Sequence, residues 1–221
     1  MSTNFESTSC PMCGSDDERT LFQGPDLLLQ DDSEQFRLAT CQRCGNIYQN
    51  PRPTPEAMGR YYPENYVPFL KAIEDEPSAW QRFNRSVGRR RRCMAVHQAA
   101  GKPGRILDIG CATGIFLDGM RSLGWQAEGV EPTASAAHYT RQRFGLPVFE
   151  GLLEEAHFPD ASFDAVTMWD VFEHVHDPQL TLAEIRRILK PGGLLVLDLF
   201  NPDPRELAAD QGVLVREHSF E

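Results

Sequence analysis

The 221-residue chain lacks any apolar run near the ~20 residues needed to span a bilayer, and Met1–Ser9 has no basic stretch leading into an apolar core. No membrane-spanning helix or secretory leader is therefore expected, and a cytoplasmic location is. Positive charge is scarce. Lys and Arg number 22 against 32 Asp and Glu, for a formal net charge of −10. Such a surface repels phosphate backbones, which counts against broad nucleic-acid binding. Internal repeats and low-complexity tracts are also missing, which excludes solenoid and fibrous architectures. Cysteines are few, six in all. Four of them fall in two Cys-x-x-Cys pairs, a pattern that in a reducing compartment points to metal rather than to disulfides.

Three regions follow from the residue pattern. Residues 1–50 hold the paired cysteines and few helix signals. Residues 51–100 open on Asn50-Pro51-Arg52-Pro53-Thr54-Pro55, whose prolines break regular structure, and continue through Tyr61-Tyr62-Pro63-Glu64-Asn65-Tyr66 to an Arg-rich helix expected over Ser78–Ala100. Residues 101–221 alternate short apolar runs with helical patterns, the mark of βα units on a parallel sheet. Strands are expected at Arg105–Gly110, Gln126–Val130, Pro147–Glu150, Phe163–Trp169 and Leu194–Leu199. Helices are expected at Ile115–Leu123, Ala134–Phe144 and Gln179–Leu189, the last bounded by Asp177-Pro178 and Pro191-Gly192-Gly193.

The chemistry centres on Ile106-Leu107-Asp108-Ile109-Gly110-Cys111-Ala112-Thr113-Gly114, an apolar strand, a glycine-bearing turn and a helix start. Gly110 and Gly114 permit a tight turn and a close backbone approach to a ligand, and the helix N-terminus suits an anionic group. The spacing is not G-x-G-x-x-G, and a βα turn without a ligand is the plainer reading. Glu131 ends the next strand about 20 residues on, where a doubly wound fold places the acid that binds ribose hydroxyls. A solvated loop glutamate is the alternative.

Asp108–Gly114 resembles the first motif of class I S-adenosylmethionine methyltransferases, and Val130-Glu131-Pro132 resembles their ribose-binding segment. Phe163-Asp164-Ala165-Val166, Trp169-Asp170-Val171-Phe172-Glu173-His174-Val175 and Leu189-Lys190-Pro191-Gly192-Gly193 are similar to the later motifs, in order. The resemblance covers residues 104–200. It implies an α/β, doubly wound, Rossmann-like, mostly parallel sheet in the order 3-2-1-4-5. It implies S-adenosylmethionine as cofactor, with Asp108, Gly110, Cys111, Ala112 and Gly114 around its methionine part. Glu131 and Pro132 would lie at the ribose, Leu152 and Leu153 at the adenine, and Trp169 and Asp170 beside the reacting methyl.

Methyl transfer from a sulfonium is an in-line displacement, so the protein mainly positions the nucleophile. An oxygen or nitrogen nucleophile also calls for a base. His174, with Asp170, is the catalytic candidate, since imidazole is the side chain that ordinarily titrates near neutrality; a packing histidine is the alternative. If the segment is helical, Asp170, Glu173 and His174 share one face and could hold a divalent cation. That pattern is similar to the metal site of ubiquinone-biosynthesis O-methyltransferases, with Asp170 in place of the more usual glutamate.

Cys10-Pro11-Met12-Cys13-Gly14 and Cys41-Gln42-Arg43-Cys44-Gly45 form two knuckles. Cys10, Cys13, Cys41 and Cys44 would close a tetrahedral, structural zinc site, a small N-terminal zinc ribbon. Cys93 and Cys111 are expected to pack. By resemblance to bacterial methyltransferases with such a ribbon, Tyr61, Tyr62 and Tyr66 would lie near the cofactor, or form a packed linker. Arg82, Arg85 and Arg89–Arg92 would grip a phosphate, or form a solvated face. The family's closing antiparallel hairpin has no room after the fifth strand. An exposed sheet edge, and with it a homodimer, is the expectation. The leading function is methylation of a small-molecule acceptor at oxygen or carbon. An RNA methyltransferase using the ribbon, or a cofactor-binding protein without turnover, are the alternatives.

Overall fold

A computed structural model describes residues 4–26, 31–61 and 72–198. The chain forms two compact units, Met1–Asn65 with His176–Leu180, and Tyr66–Val175 with Thr181–Glu221.

In the first unit β1 (Phe5–Glu6) pairs with β5 (Arg52–Pro53), while β2 (Glu18–Asp26), β3 (Asp31–Cys41) and β4 (Ile47–Gln49) make a three-stranded antiparallel sheet. The residue pattern carries no expectation for these strands. Their core is small, just Cys10, Ala39, Cys41 and Tyr48. Beside it Glu18 accepts hydrogen bonds from Asn50 Nδ2 (2.9 Å) and Tyr48 Oη (2.7 Å) and pairs with Arg37. Burial would raise this carboxyl, but Asn50, Tyr48 and Arg37 together hold it down at about 2.

The second unit is the expected parallel sheet. Its strands are β6 (Arg105–Ile109), β7 (Gln126–Glu131), β8 (Val148–Glu150), β9 (Phe163–Trp169) and β10 (Leu189–Asp198), in the order β10-β9-β6-β7-β8. Every pairing is parallel. The order reverses between β6 and β9, which is where doubly wound folds open a ligand crevice beyond the carboxyl ends of the strands. α1 (Ala79–Ala100), α2 (Ile115–Ser122), α3 (Ala134–Phe144) and α4 (Pro178–Ile188) cover the sheet. β10 starts earlier than expected. Leu189 already pairs with Phe163, and the Pro191-Gly192-Gly193 turn is absorbed as a register shift before Leu194.

Strand alternation sorts the side chains between two cores. Ile106, Ala165, Trp169 and Val196 pack with Cys93, Val96, Leu117 and Met120 of α1 and α2. Leu107, Ile109, Val166 and Met168 pack with Ile185 and Ile188 of α4. Asp108 and Thr167 share the alternation of Ile106 and Ala165, so both belong to the α1–α2 face. The motif acid Asp164 serves the fold itself. Its Oδ2 accepts from Arg105 N (2.8 Å) and Lys190 Nζ (2.8 Å), tying β6, β9 and β10 together.

The Arg-rich helix forms where expected, with four of its arginines paired within the unit. Ser78 caps its start by accepting from Gln81 N, and Gly101 ends it at φ 74°. Arg82, Arg85, Arg89 and Arg92 recur at three- and four-residue steps, so they share one face. Each has a partner within the unit. Arg82 donates to the Glu76 and Pro77 carbonyls, and Arg85 and Arg89 pair with Glu76 and Asp118. Arg92 pairs with Asp170 and Asp198. The helix turns these guanidinium groups inward, while Trp80 (73% exposed) and Phe83 (66%) face outward. Arg90 and Arg91, from the same run, are exposed.

Candidate active site

The loop after β6 is held in a shape that few sequences accept. Gly110 (φ 70°), Ala112 (φ 46°) and Gly114 (φ 71°) all lie in the left-handed region. Val130 O accepts from Gly110 N (2.8 Å) and Cys111 N (3.1 Å), which folds the loop over the end of β7. A Cβ on Gly110 would stand 2.5 Å from Val171 Cγ2, and one on Gly114 would run into the Thr140 side chain. Both glycines are thus required by the protein's own packing as well as by backbone conformation. Thr140 Oγ1 in turn donates to Ala112 O (3.0 Å). Cys111 is buried as expected, its Sγ filling the space that a side chain at Gly129 would need.

Two carboxylates flank this loop. Asp108, 3% exposed, accepts from Thr167 Oγ1 at 2.6 Å. Burial pushes its carboxyl up to about 7; the Thr167 hydroxyl and the Arg92 guanidinium draw it down. Glu131, 4% exposed, accepts from Ala112 N through Oε2 and from Thr133 N through Oε1, each at 2.8 Å. Burial raises its carboxyl, and the two backbone N–H groups oppose that. Glu131 is therefore the clasp of the glycine loop as well as an acceptor with lone pairs left for a ligand. Pro132 beside it is exposed. Leu152 is 53% exposed and open to a ligand, whereas Leu153, 2% exposed, is committed to the core.

The end of β9 lies beside the loop, with Val171 against Gly110. Trp169 is buried, meets Phe116 edge-on (centroids 5.2 Å) and carries the Arg92 guanidinium 4.8 Å above its ring. Asp170 follows at φ 54°, a left-handed conformation in which a non-glycine residue stores strain of order 1–3 kcal/mol. His174 is exposed and its N–H donates to Val171 O at 2.9 Å.

Asp170, Glu173 and His174 are not gathered into a ligand cluster, contrary to the expectation of a shared face. The segment Phe172–His174 is a single 3-10 turn rather than an α-helix, and Asp170 lies outside it, paired with Arg92. The shared helical face on which the three ligands depended is missing. Among the described residues, Cys10, Cys13, Cys41 and Cys44 alone gather three or more ligand atoms, all within 4.8 Å of one another. The Cys10–Cys44 and Cys13–Cys41 sulfur pairs each stand 3.6 Å apart. That is close to the roughly 3.8 Å edge of a tetrahedron with Zn–S bonds of about 2.3 Å. Backbone N–H groups of Cys44 and Arg43 draw the Cys41 thiol down to about 7. Cys13, despite its backbone hydrogen bond at Ser15, is pushed up to about 12 by burial and the three neighbouring sulfurs. The geometry, and not the acidity of the thiols, therefore speaks for a metal. Four sulfurs at this spacing suit zinc.

Sequence reasoning missed Thr167, Thr140 and Asp198, and named Arg92 only within the candidate phosphate grip or solvated face. A threonine inside the apolar strand Phe163–Trp169, on the same alternation as the strand acid beside it, was the one readable signal. Tyr62 and Tyr66 lie outside the described residues.

A methyltransferase-domain model matches residues 81–218. The ubiquinone biosynthesis O-methyltransferase of Alkalilimnicola ehrlichii is 31% identical over 107 residues, taking in 46% of this chain and 43% of that one. The mitochondrial enzyme of the same name from Schizosaccharomyces pombe is 35% identical over 122 residues, 52% of this chain and 42% of its own. The chain thus matches under half the length of these curated relatives. A protein of Pyrococcus horikoshii OT3 has the same fold, with TM-score 0.52 and 21% identity over 66% of this chain and 65% of that one. Sheet order, left-handed glycine loop and paired strand-end acids coincide with the matched stretch, and the chain belongs to the methyltransferase-domain family of class I, S-adenosylmethionine-dependent enzymes.

Proposed function

We propose that the protein transfers a methyl group from S-adenosylmethionine to a hydroxyl of a small molecule. The observation that carries this reading is the pair of buried carboxylates, Asp108 and Glu131, at the ends of adjacent strands on either side of the glycine loop. Burying two acids so close together is costly unless each meets a partner. Asp108 has one hydroxyl donor and a carboxyl raised to about 7, so a cationic group from a ligand would complete its pairing. That fits the amino acid end of the cofactor. Glu131 keeps unshared lone pairs for ribose hydroxyls, with Leu152 as an apolar neighbour for the base.

When bound, the cofactor supplies an electrophilic methyl on a positive sulfur. The chain's own contribution is placement. The loop fixes the approach to β6, Glu131 locks that loop to β7, and the Trp169–Asp170 corner lies beside it. His174 and Asp170, both exposed at that corner, are the groups that can take the acceptor's proton. The names of the relatives support oxygen as the acceptor atom. The pairing of Arg82, Arg85, Arg89 and Arg92 within the unit, together with the net charge of −10, weighs against an RNA substrate.

The four-cysteine cluster acts as a structural zinc site, with all positions filled by protein and none open for catalysis. The direct test of the whole reading is calorimetry with S-adenosylmethionine, followed by release of S-adenosylhomocysteine over a panel of phenolic, quinol and sugar hydroxyls. Turnover on a hydroxyl acceptor supports it; tight cofactor binding with turnover on none of the panel contradicts the enzymatic part.

A further inference from the structure

β9 ends at Trp169 and α4 begins at Pro178, and between them runs the corner that carries Asp170 and His174. His176–Leu180, which follow that corner without a break, group with Met1–Asn65 rather than with the parallel sheet. The chain thus leaves one unit after Val175, spends five residues in the other and returns at Thr181. Hydrogen bonds inside the N-terminal unit give the reason. Arg52, in β5, sets its Nε on Glu6 Oε1 (2.7 Å) and donates from Nη1 to His176 O (2.6 Å). The Nε2–H of His176 donates to Pro53 O (3.0 Å), a carbonyl that can only accept. Gln179 Nε2 reaches both Pro11 O (3.1 Å) and Met12 O (3.3 Å).

Pro11 and Met12 are the two residues between Cys10 and Cys13, so Gln179 is bonded to the first cysteine knuckle itself. Two backbone bonds close that knuckle, Gly14 N to Cys10 O (2.8 Å) and Cys10 N to Ser15 O (2.9 Å). Two of the four residues in the core beneath it are cysteines. A core so small needs an ion across its sulfurs to hold the turn. Gln179 itself is firmly placed, because Asp177 Oδ1 accepts from Leu180 N (2.9 Å) at the start of α4 and Pro178 is buried. The corner has far less of its own. Among the described residues its regular structure is one 3-10 turn, with His174 N donating to Val171 O (2.9 Å) and Val175 N to Phe172 O (3.2 Å). Asp170 stands at φ 54°, a conformation that its surroundings must impose. The corner's front end is held by Asp170 N on Asp198 O (3.2 Å), and its rear end by Arg52, Pro53 and the knuckle.

We propose that Arg52 and Gln179 are positioning residues through which a filled four-cysteine site holds the Asp170–Val175 corner in one conformation. This rests on the zinc reading above. Both side chains act through backbone carbonyls, those of His176, Pro11 and Met12. With zinc in place the knuckle carbonyls stay aimed at Gln179, and the corner is clamped at both ends. Without zinc the knuckle opens, the Gln179 bonds go with it, and the small sheet no longer supports Arg52. The corner is then held at its front end alone. A metal site closed to chemistry in this way governs the placement of Asp170 and His174.

The test reads backbone hydrogen exchange in the full chain by mass spectrometry, which needs no turnover. Stripping zinc with a chelator should speed exchange of the Asp170–Val175 amides at least tenfold while β6, β7 and α2 keep their protection. In zinc-loaded protein, Arg52→Met with Gln179→Ala should loosen the same amides at least tenfold with one zinc per chain retained. That result separates the two ties from simple unfolding of the small sheet. Arg52→Lys, which keeps a donor for His176 O, should restore part of the protection when it replaces Arg52→Met in the pair. Gln179→Ala alone changes an exposed side chain, and decides the matter if the double variant fails to fold; it should speed the corner at least threefold with zinc bound. A corner whose exchange is unchanged by zinc removal, or unchanged in the zinc-loaded variants, overturns the proposal and leaves the zinc reading intact. A chain that takes up no zinc overturns the zinc reading, and the proposal with it.

Discussion

Replacing Asp108 with asparagine should make the ligand-free protein more stable at high pH while it weakens cofactor binding. The carboxyl ordinarily titrates at 3.8, and burial raises it to about 7 in the fold. Between those values the folded state holds a proton that the unfolded chain has released, so stability falls as pH rises from about 4 to 7. Below about 4 the group is neutral in both states and contributes nothing; above 7 its full cost is present. About three pH units at roughly 1.4 kcal/mol each set a ceiling near 4 kcal/mol. Asparagine keeps an oxygen for the Thr167 hydroxyl. It also buries an amide N–H pair, a cost of ~1–3 kcal/mol that does not vary with pH. The stability difference between variant and wild type should therefore move by up to ~4 kcal/mol in the variant's favour between pH 4 and pH 8. Urea unfolding at closely spaced pH values measures it, because titrations that are not coupled to Asp108 cancel in the difference. A difference constant across that window would refute the idea that the strand acid is a strained, ligand-awaiting charge.

Glu131→Gln leaves a single carbonyl oxygen for the Ala112 and Thr133 N–H groups; a loss of ~1–3 kcal/mol in unfolding and at least tenfold weaker S-adenosylhomocysteine binding are expected. Gly129→Ala places a Cβ 2.5 Å from Cys111 Sγ and 3.0 Å from Leu117 Cδ1. It should cost ~1–3 kcal/mol in thermal or urea unfolding, with part recovered in the Gly129→Ala/Cys111→Ala pair. Metal analysis should return one zinc per chain. Removing it with a chelator should unfold the small sheet around Cys10, Ala39, Cys41 and Tyr48, read as loss of the antiparallel β signal, while α1–α4 stay folded.

The parallel sheet was legible because its strands are short apolar runs buried on both faces and its turns carry glycine at left-handed positions. Asp108, Gly110, Gly114 and Glu131 lie where their spacing placed them. The failures have physical causes. The Asp170–His174 segment has helical spacing but is a 3-10 turn after a left-handed residue, and one-dimensional spacing does not reveal that φ. The pairing of Arg89 and Arg92 was not readable because their partners, Asp118, Asp170 and Asp198, are remote in sequence. Leu153 reads like Leu152, yet Leu153 joins the buried cluster of Ile109 and Val130 while Leu152 is exposed, and adjacent leucines carry no sign of which turns inward. The N-terminal strands, mixed in polarity, surround a core of four residues and leave little periodic signal.

Calorimetry of the full chain with S-adenosylhomocysteine tests the central claim most directly. One molecule should bind per chain with a Kd on the order of micromolar, at least tenfold weaker after Glu131→Gln. Binding weaker than about 1 mM in the wild type, or equal affinity in both proteins, would contradict it.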